Sequence, residues 1–160
     1  MTIVRQLLQA KSPDVWSIAP GAWVFDALKL MAEKEVGALL VLEDGKLVGI
    51  ISERDYARKV ILKGKSSMST PVGDIMTQKV VSVRPEQTIE ECMELMTEQH
   101  VRHLPVLQGE QLIGVISIGD VVKAIISEQE FMIEQLEKYI GGYVTHWAYR
   151  SAKTLVADRR

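Results

Sequence analysis

Asp55 and Asp120 each stand three residues after a serine, and each serine closes an apolar run that opens on a glycine: GIISERD at 49–55 and GVISIGD at 114–120. This turn supports two kinds of chemistry. A serine at a helix start, with an acid three residues on, forms a reciprocal cap in which each side chain closes on the other residue's backbone N–H. The same helix start offers free N–H groups and a positive dipole end, which suit an anion. A carboxylate fixed beside them can accept the hydroxyls of a ribose, as acidic residues do in dinucleotide folds. A capping box prefers Glu or Gln at its fourth position, whereas both stretches keep the shorter Asp. On these residues alone, capping and ligand binding are both open.

The elements that position the two turns are themselves duplicated. Shifted by 65 places, residues 15–61 align with 80–126 without a gap, and 16 of the 47 positions are identical. Chance gives about three at ordinary compositions. In each copy a short extended piece (VWSI, VVSV) ends at Pro20 or Pro85. Apolar residues at helical spacing follow, Val24, Ala27, Leu28 and Met31 matching Ile89, Cys92, Met93 and Met96. ALLVL and HLPVL read as strands, the turns EDGK and QGEQ follow, then the strands LVGIIS and LIGVIS, and a helix begins at each Ser-x-x-Asp. The predicted fold class is α/β, with the order strand, helix, strand, strand, helix written twice. A unit of about 55 residues buries too little surface to stand comfortably alone, so the copies are expected to pack as one pseudo-twofold module.

The expected organisation is a first repeat over 2–63, a polar linker over 64–71, a second repeat over 72–128, and a C-terminal helix and tail over 129–160. VGDIM before Thr77 parallels VRQLL near the N-terminus, although the connection after VRQLL is three residues longer. Beyond Ser127 the last helix carries Met132, Ile133, Leu136 and Ile140 on one face, with Gly141-Gly142 as its stop. That stripe makes it the expected output or homodimer element.

A net charge of −2 gives no global attraction to nucleic acid or to an anionic membrane. One cysteine excludes an internal disulfide framework and fits a reducing cytoplasm. The start MTIVRQLLQAK lacks a signal-peptide pattern, and no apolar run approaches the ~20 residues that span a bilayer. His100, His103 and Cys92 fall short of the four convergent ligands of a zinc site, so no metal is expected. GKSS at 64–67 echoes a phosphate loop, but Lys59 stands where that motif needs a glycine. With no catalytic motif present, no catalytic residue is assigned and the chain is expected not to be an enzyme.

The tandem stretches VGALLVLEDGKLVGIISERDYARKVI and VRHLPVLQGEQLIGVISIGDVVKAII, with DIMTQKVVSVRP between them, resemble a pair of cystathionine-β-synthase-type (CBS) domains. The likeness covers about residues 2–128 and is nearest to small stand-alone bacterial proteins built from one such pair. It implies a central cleft that holds adenosine ligands such as AMP, ADP, ATP, NAD or S-adenosylmethionine, and further association into disc-shaped dimers. Carried over, Asp55 and Asp120 become ribose-binding acids, each beside its serine, Ser52 or Ser117. The Asp55 site borrows Thr77, Val80 and Val81 from the opposite copy; the Asp120 site borrows Val15 and Trp16. Gly37-Ala38 and Arg102-His103 open the second strand of each copy and face the phosphate region. There Arg102 can give a fork of donors and His103 another.

The copies differ where function is decided. Arg54 matches Gly119, Gly37-Ala38 match Arg102-His103, and Leu40 replaces the more usual proline kept at Pro105. Two unequal sites are expected, with Arg54 either reaching a phosphate or solvated at the surface. Trp16 either stacks near an adenine or only packs there. The expected function is a regulatory sensor that binds an adenine nucleotide and signals by a shape change. The alternative is a purely structural assembly module in which Ser-x-x-Asp serves only as a cap.

Overall fold

The computed structural model describes residues 1–140. The first copy comprises α1 (Val4–Gln9), β1 (Ser17–Ile18), α2 (Val24–Lys34), β2 (Ala38–Glu43), β3 (Lys46–Ser52) and α3 (Glu53–Tyr56), which continues as a π-helical turn over Ala57–Ile61. The second comprises α4 (Val72–Ile75), α5 (Ile89–Gln99), β4 (His103–Gln108), β5 (Gln111–Ser117) and α6 (Ile118–Tyr139). Hairpins β2–β3 and β4–β5 share one register, Ala38 facing Ser52 and His103 facing Ser117. Each shifts register at the same place, Val41/Leu42 and Val106/Leu107.

The opening segments differ. In the first copy β1 runs parallel to β2, and Leu40 N–H donates to the Trp16 carbonyl at 3.2 Å. The counterpart of Leu40 is Pro105, which has no N–H to give to Val81. The ladder there shrinks to a bridge between Val83 and Val106, held by Val83 N–H to Pro105 O at 3.0 Å and Leu107 N–H to Val83 O at 2.9 Å. The extended piece read from VVSV is therefore no strand, and the sheets have three and two strands.

Two apolar cores form, and they exchange their leading segments. Val4 and Leu7 of α1 lie in the core of the second copy, with Ile89, Cys92, Met96, Leu104 and Ile116. Val72 and Ile75 of α4 lie in the core of the first, with Val24, Ala27, Met31, Leu39 and Ile51. Burying such side chains contributes about 1.5–3 kcal/mol each before entropic costs. The same three donors fasten both leaders. Val4 N–H reaches Gln87 O, Arg5 N–H reaches Pro85 O, and Ile89 N–H reaches Thr2 O. On the other side Val72 reaches Ala22, Gly73 reaches Pro20, and Val24 reaches Thr70. The linker is thus part of a helix cap, with Phe25 N–H also held by Ser67 O at 2.9 Å.

This exchange explains the glycine that opens each repeated turn. A Cβ on Gly49 would meet Met76 Sδ at 2.6 Å and the Thr77 carbonyl at 3.0 Å; one on Gly114 would meet Leu8 Cδ2 at 2.7 Å. Each glycine makes room for the other copy's leader. Gly49→Ala presses on backbone at Thr77 and is expected to cost about 1–3 kcal/mol, the range for overpacking. Gly114→Ala meets only the end of a flexible leucine, so its cost is expected to be smaller. Urea unfolding of the two variants checks the order.

Helix α6 buries only Val121 fully and leaves Phe131, Met132 and Leu136 more than half exposed, as is Ile140 at its C-cap. The helix stop predicted at Gly141-Gly142, the tail and Trp147 lie outside the described residues. Cys92 is fully buried, and burial, followed by the charges of Glu91 and Glu90, pushes its thiol up to about 11. It acts as a small core side chain, like its counterpart Ala27.

Candidate functional site

Both Ser-x-x-Asp turns form complete caps. Ser52 Oγ accepts Asp55 N–H at 3.2 Å while Asp55 Oδ2 accepts Ser52 N–H at 3.0 Å. The corresponding distances at Ser117 and Asp120 are 3.2 and 2.8 Å. Capping is therefore real in both copies, and the question becomes what each carboxylate faces besides its cap.

Asp55 is 9% exposed and borders the larger cleft cavity, about 660 Å³. Its Oδ1 accepts the Thr77 hydroxyl at 3.2 Å and lies 2.9 Å from Lys59 Nζ. Thr77 is placed by an antiparallel bridge to Ile50, so this donor comes from the second copy. Val80 and Val81 line the same cavity beside Ser52 and Gly37. Arg54, Arg58, Lys59, Lys79 and Arg102 surround it, against two acids, Glu53 and Asp55. Arg54 crosses the cleft and donates to the His100 carbonyl at 3.2 Å. That carbonyl is presented by the left-handed C-cap of α5, where His100 has φ 53°.

Asp120 behaves differently. Its Oδ2 lies 2.7 Å from Lys11 Nζ, and it borders the groove between α1 and α6. Burial would raise its carboxyl, but the hydrogen bond from Lys11, those from Ser117 and the Lys11 charge outweigh it and hold the group below the usual range. The smaller cleft cavity, about 410 Å³, is lined by Val15, Trp16, Gly37, Ala38, Ser117 and Lys11. Gly119 and Asp120 border neither cleft cavity. Lys34 Nζ covers one face of the Trp16 ring at 4.4 Å, a cation–π contact.

His103 lines both cavities. Burial lowers its pKa from the ordinary histidine value; the charges of Lys11 and Arg102 push the same way and Asp120 opposes them. Among the described residues no group of three or more His, Cys, Asp and Glu is placed to hold a metal, and no helix is long and apolar enough to cross a membrane.

A family model for the CBS domain matches twice, over residues 4–61 and 72–127. The chain belongs to the CBS-domain family. A mitochondrial CBS-domain protein of Arabidopsis thaliana, CBSX3, is 46% identical over 156 residues, 89% of this chain and 74% of that protein. A solved CBS-domain protein from Burkholderia ambifaria shares 53% identity at TM-score 0.78, over 80% of this chain and 96% of that one. The CBS pair of protein MJ0100, solved with 5′-methylthioadenosine and S-adenosyl-L-methionine, superposes at TM-score 0.70 with 20% identity, over 79% and 98%. CBS-domain pairs are regulatory modules that commonly bind adenosine-containing ligands.

Within this CBS pair, sequence reasoning passed over Lys11 and Lys59. Lys59 sits one helical turn after Asp55, the spacing at which opposite charges pair, and its counterpart in the second copy is Ala124. Lys11 carries no repeat signal, because it falls in the three extra residues of the first connection.

Proposed function

We propose that this CBS pair is a regulatory sensor, not an enzyme, that binds an adenine nucleotide (AMP, ADP, ATP or NAD) in the larger cavity and signals by a shape change in the cleft. One observation carries this reading: a buried carboxylate, Asp55, lies in a cavity ringed by five cationic side chains. A ribose diol exchanges with the rotatable Ser52 hydroxyl and with Lys59 at Asp55. Phosphates then meet Arg102, His103 and Arg54 at the other end. The Val81 carbonyl, relieved of a sheet partner by Pro105, suits the amino group of adenine.

The cavity is built from both copies, Ser52 to Asp55 from one and Arg102-His103 from the other. A ligand touching both walls favours the arrangement that holds them together, and the population moves by its differential affinity. The cytoplasm supplies every ligand in the set. Isothermal titration with AMP, ADP, ATP, NAD and S-adenosylmethionine tests the proposal. Micromolar binding of a phosphorylated member supports it, and no heat with any of them sinks it.

A homodimer belongs to the same reading, since the apolar stripe of α6 is exposed within one chain. That stripe is also what favours the second reading, an assembly module without ligand. Sedimentation at several concentrations with and without AMP separates the two, because only the sensor changes its assembly or compactness with the nucleotide.

A further inference from the structure

The two Asp turns are alike and are tied off by different means. In the first copy the Ile50 carbonyl takes the Thr77 backbone N–H at 2.8 Å, and the Thr77 hydroxyl reaches Asp55. Val115 is the counterpart of Ile50, and its carbonyl takes the Lys11 ammonium at 2.9 Å while the same ammonium meets Asp120 at 2.7 Å. One lysine does what two groups of Thr77 do. It reaches there because residues 10–14 stand where the other copy has only 78 and 79. The leader that carries it is fastened elsewhere as well, by Thr2 N–H to Glu128 at 2.8 Å and by Arg5 to Glu86 at 3.0 Å.

The consequence is a difference in what each carboxylate can touch. Lys59 comes from Asp55's own helix and leaves that acid on the cavity wall. Lys11 comes from a separate segment and lines both the smaller cavity and the groove that Asp120 borders, so its ammonium lies between that acid and the cavity. We propose that Lys11 is the specificity-determining residue of the cleft: its ammonium closes the Asp120 turn to a ribose, so that each chain takes one nucleotide, at Asp55, and not two. This rests on the reading that the cleft binds adenine nucleotides.

The walls of the smaller cavity add a second element. They carry Asp14 and Glu35 beside Lys11, and no arginine. Without Lys11 the basic group left on them is His103, whose pKa burial lowers, against two acids, so an opened Asp120 turn takes the uncharged nucleoside in preference to the nucleotide. The larger cavity, with its five cations, keeps the opposite preference.

The test measures stoichiometry by native mass spectrometry and titration, with AMP and adenosine as probes. The proteins are the wild type, Lys11→Met, Asp55→Ala and the double variant. Lys11→Met keeps the apolar stem, and Lys11→Gln, which keeps a donor for Val115 O, serves as the second variant if Lys11→Met unfolds. The expected result is one AMP on the wild type and a second equivalent, for adenosine, on Lys11→Met, at least tenfold tighter than any second binding to the wild type. The double variant then holds adenosine, whereas Asp55→Ala alone holds neither ligand. Two equivalents on the wild type, or one on the lysine variants, would overturn the role of Lys11 and leave nucleotide binding at Asp55 intact. No binding to any of the proteins would overturn both.

Discussion

Asp55→Ala is expected to weaken AMP binding at least a hundredfold, and Asp120→Ala to leave it within about twofold. Hydrogen bonds to a charged group contribute about 1.5–3 kcal/mol each, and the Asp55 carboxylate offers two oxygens to a ribose diol. Losing both amounts to roughly 3–6 kcal/mol, more than two decades in affinity. Removing the side chain also opens the cap and leaves the Lys59 ammonium only the Ile75 carbonyl, 2.9 Å away. That part costs stability: about 0.5–2 kcal/mol for the cap, and at least the few tenths of an ordinary pair at this spacing, since Asp55 is buried. Asp120→Ala breaks an equivalent cap and a closer ion pair, so its effect on stability is comparable. The contrast therefore lies in binding, and titration with AMP beside thermal unfolding of both variants reads it. If both lose stability and neither changes AMP binding, Ser-x-x-Asp is a cap and nothing more, as an assembly module would have it.

That contrast also measures what the sequence reveals. The duplication, the hairpins and the caps follow from local patterns: glycine, apolar alternation and Ser-x-x-Asp recur at a fixed offset, and the structure repeats them in one register. The exchange of leaders between the cores was not legible. A short apolar stretch such as VRQLL says that it will be buried and not against which partner, because both cores offer similar surfaces. The missing strand in the second copy was legible in principle, since Pro105 lies where Leu40 gives its N–H to Trp16. Asp55, Thr77, Val80 and Val81, grouped on the resemblance alone, line one cavity. Lys11 does not, because an insertion has no counterpart to align with and its reach depends on where the leader is fastened.

The wall formed by Arg102 and His103 carries the second large effect, which is expected to appear with phosphate and not with adenosine. Arg102 is a permanent cation and His103 is not. Burial and the neighbouring charges of Lys11 and Arg102 lower the His103 pKa, so the free cleft holds it neutral around pH 7. A folded-state value below the unfolded one means that His103 stabilises the fold above the ordinary histidine value, about 6.5, and that this contribution is lost as pH falls toward the folded pKa. A triphosphate at the same wall reverses the field and raises the pKa, so binding takes up a proton. ATP affinity is therefore expected to rise several-fold between pH 8 and pH 6, with a ceiling of about tenfold per pH unit for one linked proton. Adenosine affinity should stay flat. Titration in buffers of different ionisation heat gives the number of protons taken up. His103→Gln should remove the part of the slope that belongs to the protein, and comparison with the same ATP in the wild type cancels the ligand's own titration. Arg102→Ala should lower ATP affinity by about tenfold, the scale of one charge-assisted hydrogen bond. It should also make the slope shallower without abolishing it, since one of the charges that lower the His103 pKa is gone. An identical pH profile in the wild type and His103→Gln would take His103 out of the phosphate wall and leave Arg102 to hold it alone.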